Sequence, residues 1–278
     1  MDALLAHGPL WLFSACLALL AGGLLAGVLA GLLGIGGGIV VVPILYYLFH
    51  VMNVDPSILM HVVVGTSLAT IVPTSIMSSR AHRKRGNLDM TVAKRLLPGV
   101  LVGVVIGALT SRYLAGVWLT AIFATVAMLI AIKMALNFKA ASFGSKLPSL
   151  PVTSLLGCVI GGVSTLIGVG GGTLSVPVLS SFNVPMRIAV GTSALIGVFI
   201  SIPGMLAFVL NGWGASALPP LSLGYVNLLS WALIVPTSML STSWGAALAS
   251  RINARYLQYV FAAFLVVTSI HMFYGLSQ

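Results

Sequence analysis

Eight apolar stretches run along this chain, each close to the about 20 residues that a helix needs to cross a lipid bilayer. They are Trp11 to Leu33, Ser57 to Ser79, Leu96 to Tyr113, Val117 to Met134, Val152 to Ile167, Ile188 to Leu210, Leu223 to Ser250 and Tyr256 to Tyr274. In hydrocarbon every backbone polar group has to be satisfied inside the segment that carries it, so this pattern predicts an all-α polytopic membrane protein. Charged residues make up only 6% of the chain, against about 25% in a typical soluble domain. Two further apolar pieces, Ile39 to Phe49 and Thr173 to Phe182, are too short to cross alone, and each directly follows a cluster of glycines.

Those clusters, "GIGGGIVVVP" (Gly34 to Pro43) and "GVGGGTLSVP" (Gly168 to Pro177), carry their proline at the same offset. Glycine weakens a helix, so each cluster marks a break in it. Aligning the two brings Gly65-Thr66-Ser67 over Gly191-Thr192-Ser193 and Asn53-Val54 over Asn183-Val184, and "PGVLVGVVIGALTSR" from Pro98 resembles "PTSMLSTSWGAALASR" from Pro236. The chain therefore reads as a duplication, with a first repeat over 1–138, a linker over 139–151 and a second repeat over 152–278. Each repeat is expected to hold a long helix, a glycine break, a short helix and three further helices. This makes eight full crossings in all, plus two short helices in glycine-tipped hairpins.

Charge placement orients the two halves. Loops on the cytoplasmic side collect Lys and Arg, and the segment Arg80 to Arg95 holds six of them with one Asp. Counting each glycine-linked pair as an even number of crossings puts Lys133, Lys139, Lys146, Arg187, Arg251 and Arg255 on the same side and leaves only Arg112 opposite. Both termini then lie outside. The loop matching Arg80 to Arg95 in the second half is the chargeless "NGWGASALPPLS", as expected if that half is upside down. Inverted repeats with broken helices are an architecture of secondary transporters, whose sites lie near the midplane. With the basic residues at segment ends, the net charge of +10 is explained by topology and not by nucleic acid.

Broken backbone at membrane depth is tolerated where it is buried in protein or lines a water-filled cavity. A helix N-terminus carries about half a positive charge, and glycines let an anion reach its bare N–H groups. The candidate cradle is therefore Gly36, Gly37, Gly38 and Ile39 in the first half with Gly170, Gly171, Gly172 and Thr173 in the second, and Thr66, Ser67, Thr192 and Ser193 offer hydroxyl donors. The alternative is plain helix packing, the role expected of Gly27xxxGly31, Gly99xxxGly103xxxGly107 and Gly157xxxGly161. His61 and Arg187 stand at equivalent positions, each four residues before the GTS glycine. They form either a basic vestibule at each mouth or a hydrogen-bonded side chain and a topology marker. The only acidic residues are Asp2, Asp55 and Asp89, all in expected loops or ends, so coupling through an intramembrane carboxylate is excluded. A protonated weak acid, a flux driven by potential or a histidine relay stays open. With no HExxH, no acid pair and scattered histidines, neither an enzyme nor a metal site nor a cofactor is expected. Cys16 and Cys158 are expected as free thiols.

The paired glycine motifs, each followed by "VGTS" in a short polytopic chain, resemble the sulfite exporter TauE/SafE family, also called the TSUP family. The resemblance covers nearly the whole chain. It implies a transporter of small sulfur-containing anions (sulfite, organosulfonates or thiosulfate) in the bacterial cytoplasmic (inner) membrane, with the lipid bilayer and the anion as partners and a homodimer as one possible assembly. An anion channel of the same fold and a non-transporting membrane scaffold are the alternatives.

Overall fold

The computed structural model describes residues 8–33, 37–136, 147–215, 217–248 and 254–276. Among these residues are ten helices: α1 (Gly8–Leu33), α2 (Gly38–Val51), α3 (Pro56–Lys84), α4 (Met90–Tyr113), α5 (Gly116–Ala135), α6 (Leu150–Ile167), α7 (Gly171–Ser181), α8 (Met186–Asn211), α9 (Leu228–Leu248) and α10 (Ala254–Leu276). Eight are long and two, α2 and α7, are short, in the places where the glycine clusters put them. Seven are long and apolar enough to cross a membrane, and in α9 the apolar stretch Leu228–Thr242 is shorter. The polarity is inside-out for a protein in water. Leu101, Val105, Ile106 and Leu109 of α4 are exposed, while Thr66, Ser67, Thr192 and Ser193 are fully buried. Lipid is the solvent for such a surface.

Local chemistry explains the ends of the elements. Gly37 caps α2 in a left-handed conformation (φ 65°), and Gly168 does the same at the end of α6 (φ 68°). Both short helices close in one way. Asn53 and Asn183 are left-handed, and the N–H groups of Val54 and Val184 donate to the carbonyls of Phe49 and Leu179 at 3.0 and 3.2 Å. Asparagine tolerates this conformation, which accounts for the repeated Asn-Val. One boundary differs from the sequence expectation. Leu223 does not begin a helix: Ser222–Leu223 (β1) and Val226–Asn227 (β2) form a small antiparallel hairpin around Gly224 (φ 55°), and α9 starts at Leu228. The linker region 137–146 and the ends 1–7 and 277–278 lie outside the described residues, as do Lys139, Lys146 and Arg251. Cys16 and Cys158 are free and half-buried.

The packing is reciprocal between the halves. Helix α1 packs most extensively on α9, and its counterpart α6 on α4, while α3 packs on its own counterpart α8 and α5 on α10. Glycines set the approach: Gly99, Gly103 and Gly107 of α4 lie against the backbone of Ser154, Cys158 and Gly162 of α6, so these helices run parallel. Gly23 and Gly27 of α1 meet Ile234 and Ser238 of α9 in the same sense. The central pair α3 and α8 runs antiparallel, since Gly65 faces Phe208, Gly204 faces Leu68, Gly197 faces Ser75 and Gly191 faces His82.

Candidate functional site

The two glycine breaks meet at the centre of this frame. A Cβ added at Gly38, the first residue of α2, would lie 2.9 Å from the Gly168 carbonyl and 2.6 Å from Ile71 Cδ1. Gly168 lies in turn against the backbone of Val64. Gly37, Gly38 and Ile39 are buried in this contact; Gly36 lies outside the described residues. The α7 end is built differently. A Cβ on Gly171 would lie 2.8 Å from the Gly197 nitrogen and 3.0 Å from the Ser193 carbonyl, so α7 sits directly on the α8 backbone. Gly172, next along, lines a small cavity of about 20 Å³ together with Ser75, Ser78, Ser193 and Thr242. That is room for about one water-sized group. Gly170 caps α7 and Thr173 is buried in its first turn.

This inner cavity continues outward. Ala30, Thr74, Ser78 and Thr242 also line a second cavity of about 280 Å³, whose remaining wall includes Met77, Met239, His82 and Arg85. Arg85 is exposed just beyond the end of α3. Among the described residues, the route from the basic segment to the first turn of α7 is therefore lined by hydroxyls, thioethers, the His82 imidazole and the Arg85 guanidinium, with no acidic side chain.

Hydrogen bonding separates the four motif hydroxyls. Thr66 Oγ1 accepts from the Asn227 N–H at 2.9 Å, and Thr192 Oγ1 accepts from the Asp89 N–H at 3.1 Å. Each thus ties its helix to the residue that starts the next helix of the other half. The GTS glycines serve the same contact: Gly65 lies against the Tyr225 carbonyl and Gly191 against the Asn87 carbonyl. Ser67 Oγ donates to the Gly168 carbonyl at 2.7 Å. Its counterpart Ser193 is fully buried, lines the inner cavity and has no partner for its hydroxyl. Ser175, one turn along α7 from Gly172, is likewise buried and unpartnered. Thr74 and Thr242 direct their hydroxyl hydrogens to their own helix carbonyls, which leaves them as poor donors to a ligand.

The structure places neither His61 nor Arg187 on these cavities. His61 is buried, donates from Nε2 to the Ser111 carbonyl at 3.1 Å and packs on the Tyr225 ring. Arg187 is exposed at the start of α8. The cavity residues that sequence reasoning did not single out include Thr74, Ser75, Ser78, Thr242, His82 and Arg85. The basic segment marked by Arg80 to Arg95 was the available signal, and it had been assigned to topology alone.

Comparison with known proteins decides the family. The profile of the sulfite exporter TauE/SafE family matches residues 19–272. The chain belongs to that family. A Haemophilus influenzae protein described as a "Probable membrane transporter protein" is 38% identical over 90% of this chain and 95% of its own length. The Bacillus subtilis protein "Probable membrane transporter protein YunE" is 26% identical over 91% of this chain and 95% of its own length. A third relative so described, from Methanocaldococcus jannaschii, is 25% identical over 90% of this chain and 92% of its own. No solved structure matches the chain. These relatives are described as probable membrane transporters, and each alignment covers about nine-tenths of this chain.

Proposed function

We propose that this TauE/SafE protein is a secondary transporter, not an enzyme, that moves a small sulfur-containing anion such as sulfite, an organosulfonate or thiosulfate across the cytoplasmic membrane. One oxygen of the anion is held at the first turn of α7 by the backbone N–H of Gly172 and the hydroxyl of Ser193, with the rest of the anion in the adjoining cavity of about 280 Å³. One observation carries this reading: Ser193 Oγ is fully buried, has no partner, and lines the cavity onto which the α7 N-terminus opens. An unsatisfied buried hydroxyl costs free energy unless something binds it. The helix end supplies positive potential without a buried lysine or arginine.

Two further observations support it. The halves 1–138 and 152–278 act as inverted repeats in this reading. Their equivalent helices α3 and α8 pack antiparallel, and a two-fold axis relating touching antiparallel helices has to run across them. Among the described residues, the cavities that reach Gly172 and Ser193 run out to the Arg85 face. Ser67 and the α2 end are packed against Gly168, Val169 and Ile71, while Ser193 and the α7 end open to a cavity. One-sided access favours a transporter over a channel, which needs a continuous path. The positive-inside rule then puts the Arg85 face in the cytoplasm and both termini outside.

The test is flux into proteoliposomes of sulfite, thiosulfate, sulfoacetate, sulfate and acetate, with and without pH and potential gradients. Saturable flux of a sulfur oxyanion with counter-flow is the expected result. Non-saturating flux indicates a channel, and no flux of any anion removes the reading in favour of a scaffold.

A further inference from the structure

We propose that Arg85, with His82 beside it, forms a loading subsite for the anion at the mouth of the cavity, and that this makes capture sided: strong from the Arg85 face and weak from the other. The inference rests on the anion-transport reading and adds a second station to it, outside the α7 end. Arg85 lines the outer cavity of about 280 Å³, and among the described residues no acidic side chain lines it or the inner one. The nearest carboxylate in sequence, Asp89, accepts from the N–H groups of Thr91 and Val92 at 2.7 and 3.2 Å, so it faces the start of α4. The guanidinium presents paired donors to an oxyanion.

The subsite is held in place by the second half of the chain. The Asn87 N–H donates to the His82 carbonyl at 3.0 Å, closing the turn that carries Arg85. The Asp89 N–H is tied to Thr192, and Gly191 lets the Asn87 carbonyl lie directly on α8. Arg85 is thus displayed from a pinned turn, which lowers the ordering cost of binding. The duplicated half shows the contrast. The position related to Arg85 by the spacing between Gly65 and Gly191 is Asn211, a neutral residue already engaged. Its Nδ2 donates to the Ala108 carbonyl at 3.0 Å and to Ser111 Oγ at 3.3 Å. The cation near that mouth, Arg112, follows Val105 and Leu109 along the exposed face of α4, and so lies on the lipid-facing flank.

The experiment uses the full chain in sealed vesicles of each sidedness, with sulfite and thiosulfate as probes at low ionic strength. Arg85→Gln is expected to raise KM about 5-fold for anion presented at the Arg85 face, with Vmax in that direction unchanged. At the opposite face KM is unchanged and Vmax falls by the same factor, because the ratio of Vmax/KM in the two directions is fixed by the transport equilibrium. Arg85→Lys restores most of the loss, and added salt shrinks the difference. Unchanged KM at the Arg85 face, an equal rise at both faces, or a fall in Vmax alone overturns the subsite while leaving the transport reading intact. A wild-type protein that neither binds nor moves either anion overturns both.

Discussion

The inequivalence of Ser67 and Ser193 yields a paired prediction. Ser67→Ala removes a fully buried hydroxyl that donates to the Gly168 carbonyl at 2.7 Å. The carbonyl is left without that partner in a packed contact, a loss of about 1–3 kcal/mol. At about 2–4 °C per kcal/mol for a chain of this size, the apparent Tm in detergent should fall by about 2–12 °C. Ser193→Ala deletes a hydroxyl that has no partner to lose, so its Tm should stay within about 1 °C of wild type, a surface-like change of under ~0.5 kcal/mol. Its effect should fall on the ligand. A hydrogen bond to a charged group contributes about 1.5–3 kcal/mol, or roughly tenfold and upward in KM for the transported anion. Thermal unfolding followed by tryptophan fluorescence, run beside sulfite flux, reads both quantities on the same preparations. If Ser193→Ala destabilises as much as Ser67→Ala, or moves sulfite with an unchanged KM, the assignment of the open site to the second half is wrong.

The contacts of the frame make two more predictions. Gly103→Leu drives a side chain into the Cys158 backbone, so α4 and α6 separate, at about 3 kcal/mol, and the yield of monodisperse protein on size-exclusion chromatography should collapse. Asn53→Ala and Asn183→Ala each put alanine in a left-handed conformation, costing about 1 kcal/mol, whereas Asn53→Gly should be neutral in the same thermal assay.

Much of the fold was legible because its causes are local. Apolar length located the helices to within a few residues, and glycine clusters located both breaks. The Gly99, Gly103 and Gly107 series was read as a packing face, and the structure seats it on α6. The candidate site was legible in part. The glycine ends and the GTS hydroxyls were named as one set of equivalent donors, yet Thr66 and Thr192 each accept from the backbone of a residue that starts a helix, and Ser67 is taken by Gly168. Those bonds join residues about a hundred or more positions apart, and no spacing in the sequence marks them. His61 and Arg187 looked equivalent for the same reason, although one is buried on Ser111 and the other is exposed.

By itself the sequence determined an all-helical membrane chain and the two places where helices break, since segment length and turn chemistry act within a few residues. Tertiary structure alone decided which break is open. Two ends of nearly identical sequence meet different neighbours: Ile71 and Gly168 fill the space at Gly38, while a cavity running out to Arg85 reaches Gly172. In the transport reading proposed above, two halves that admit ligand from one side at a time cannot keep the same environment, and that difference exists only in the packed molecule.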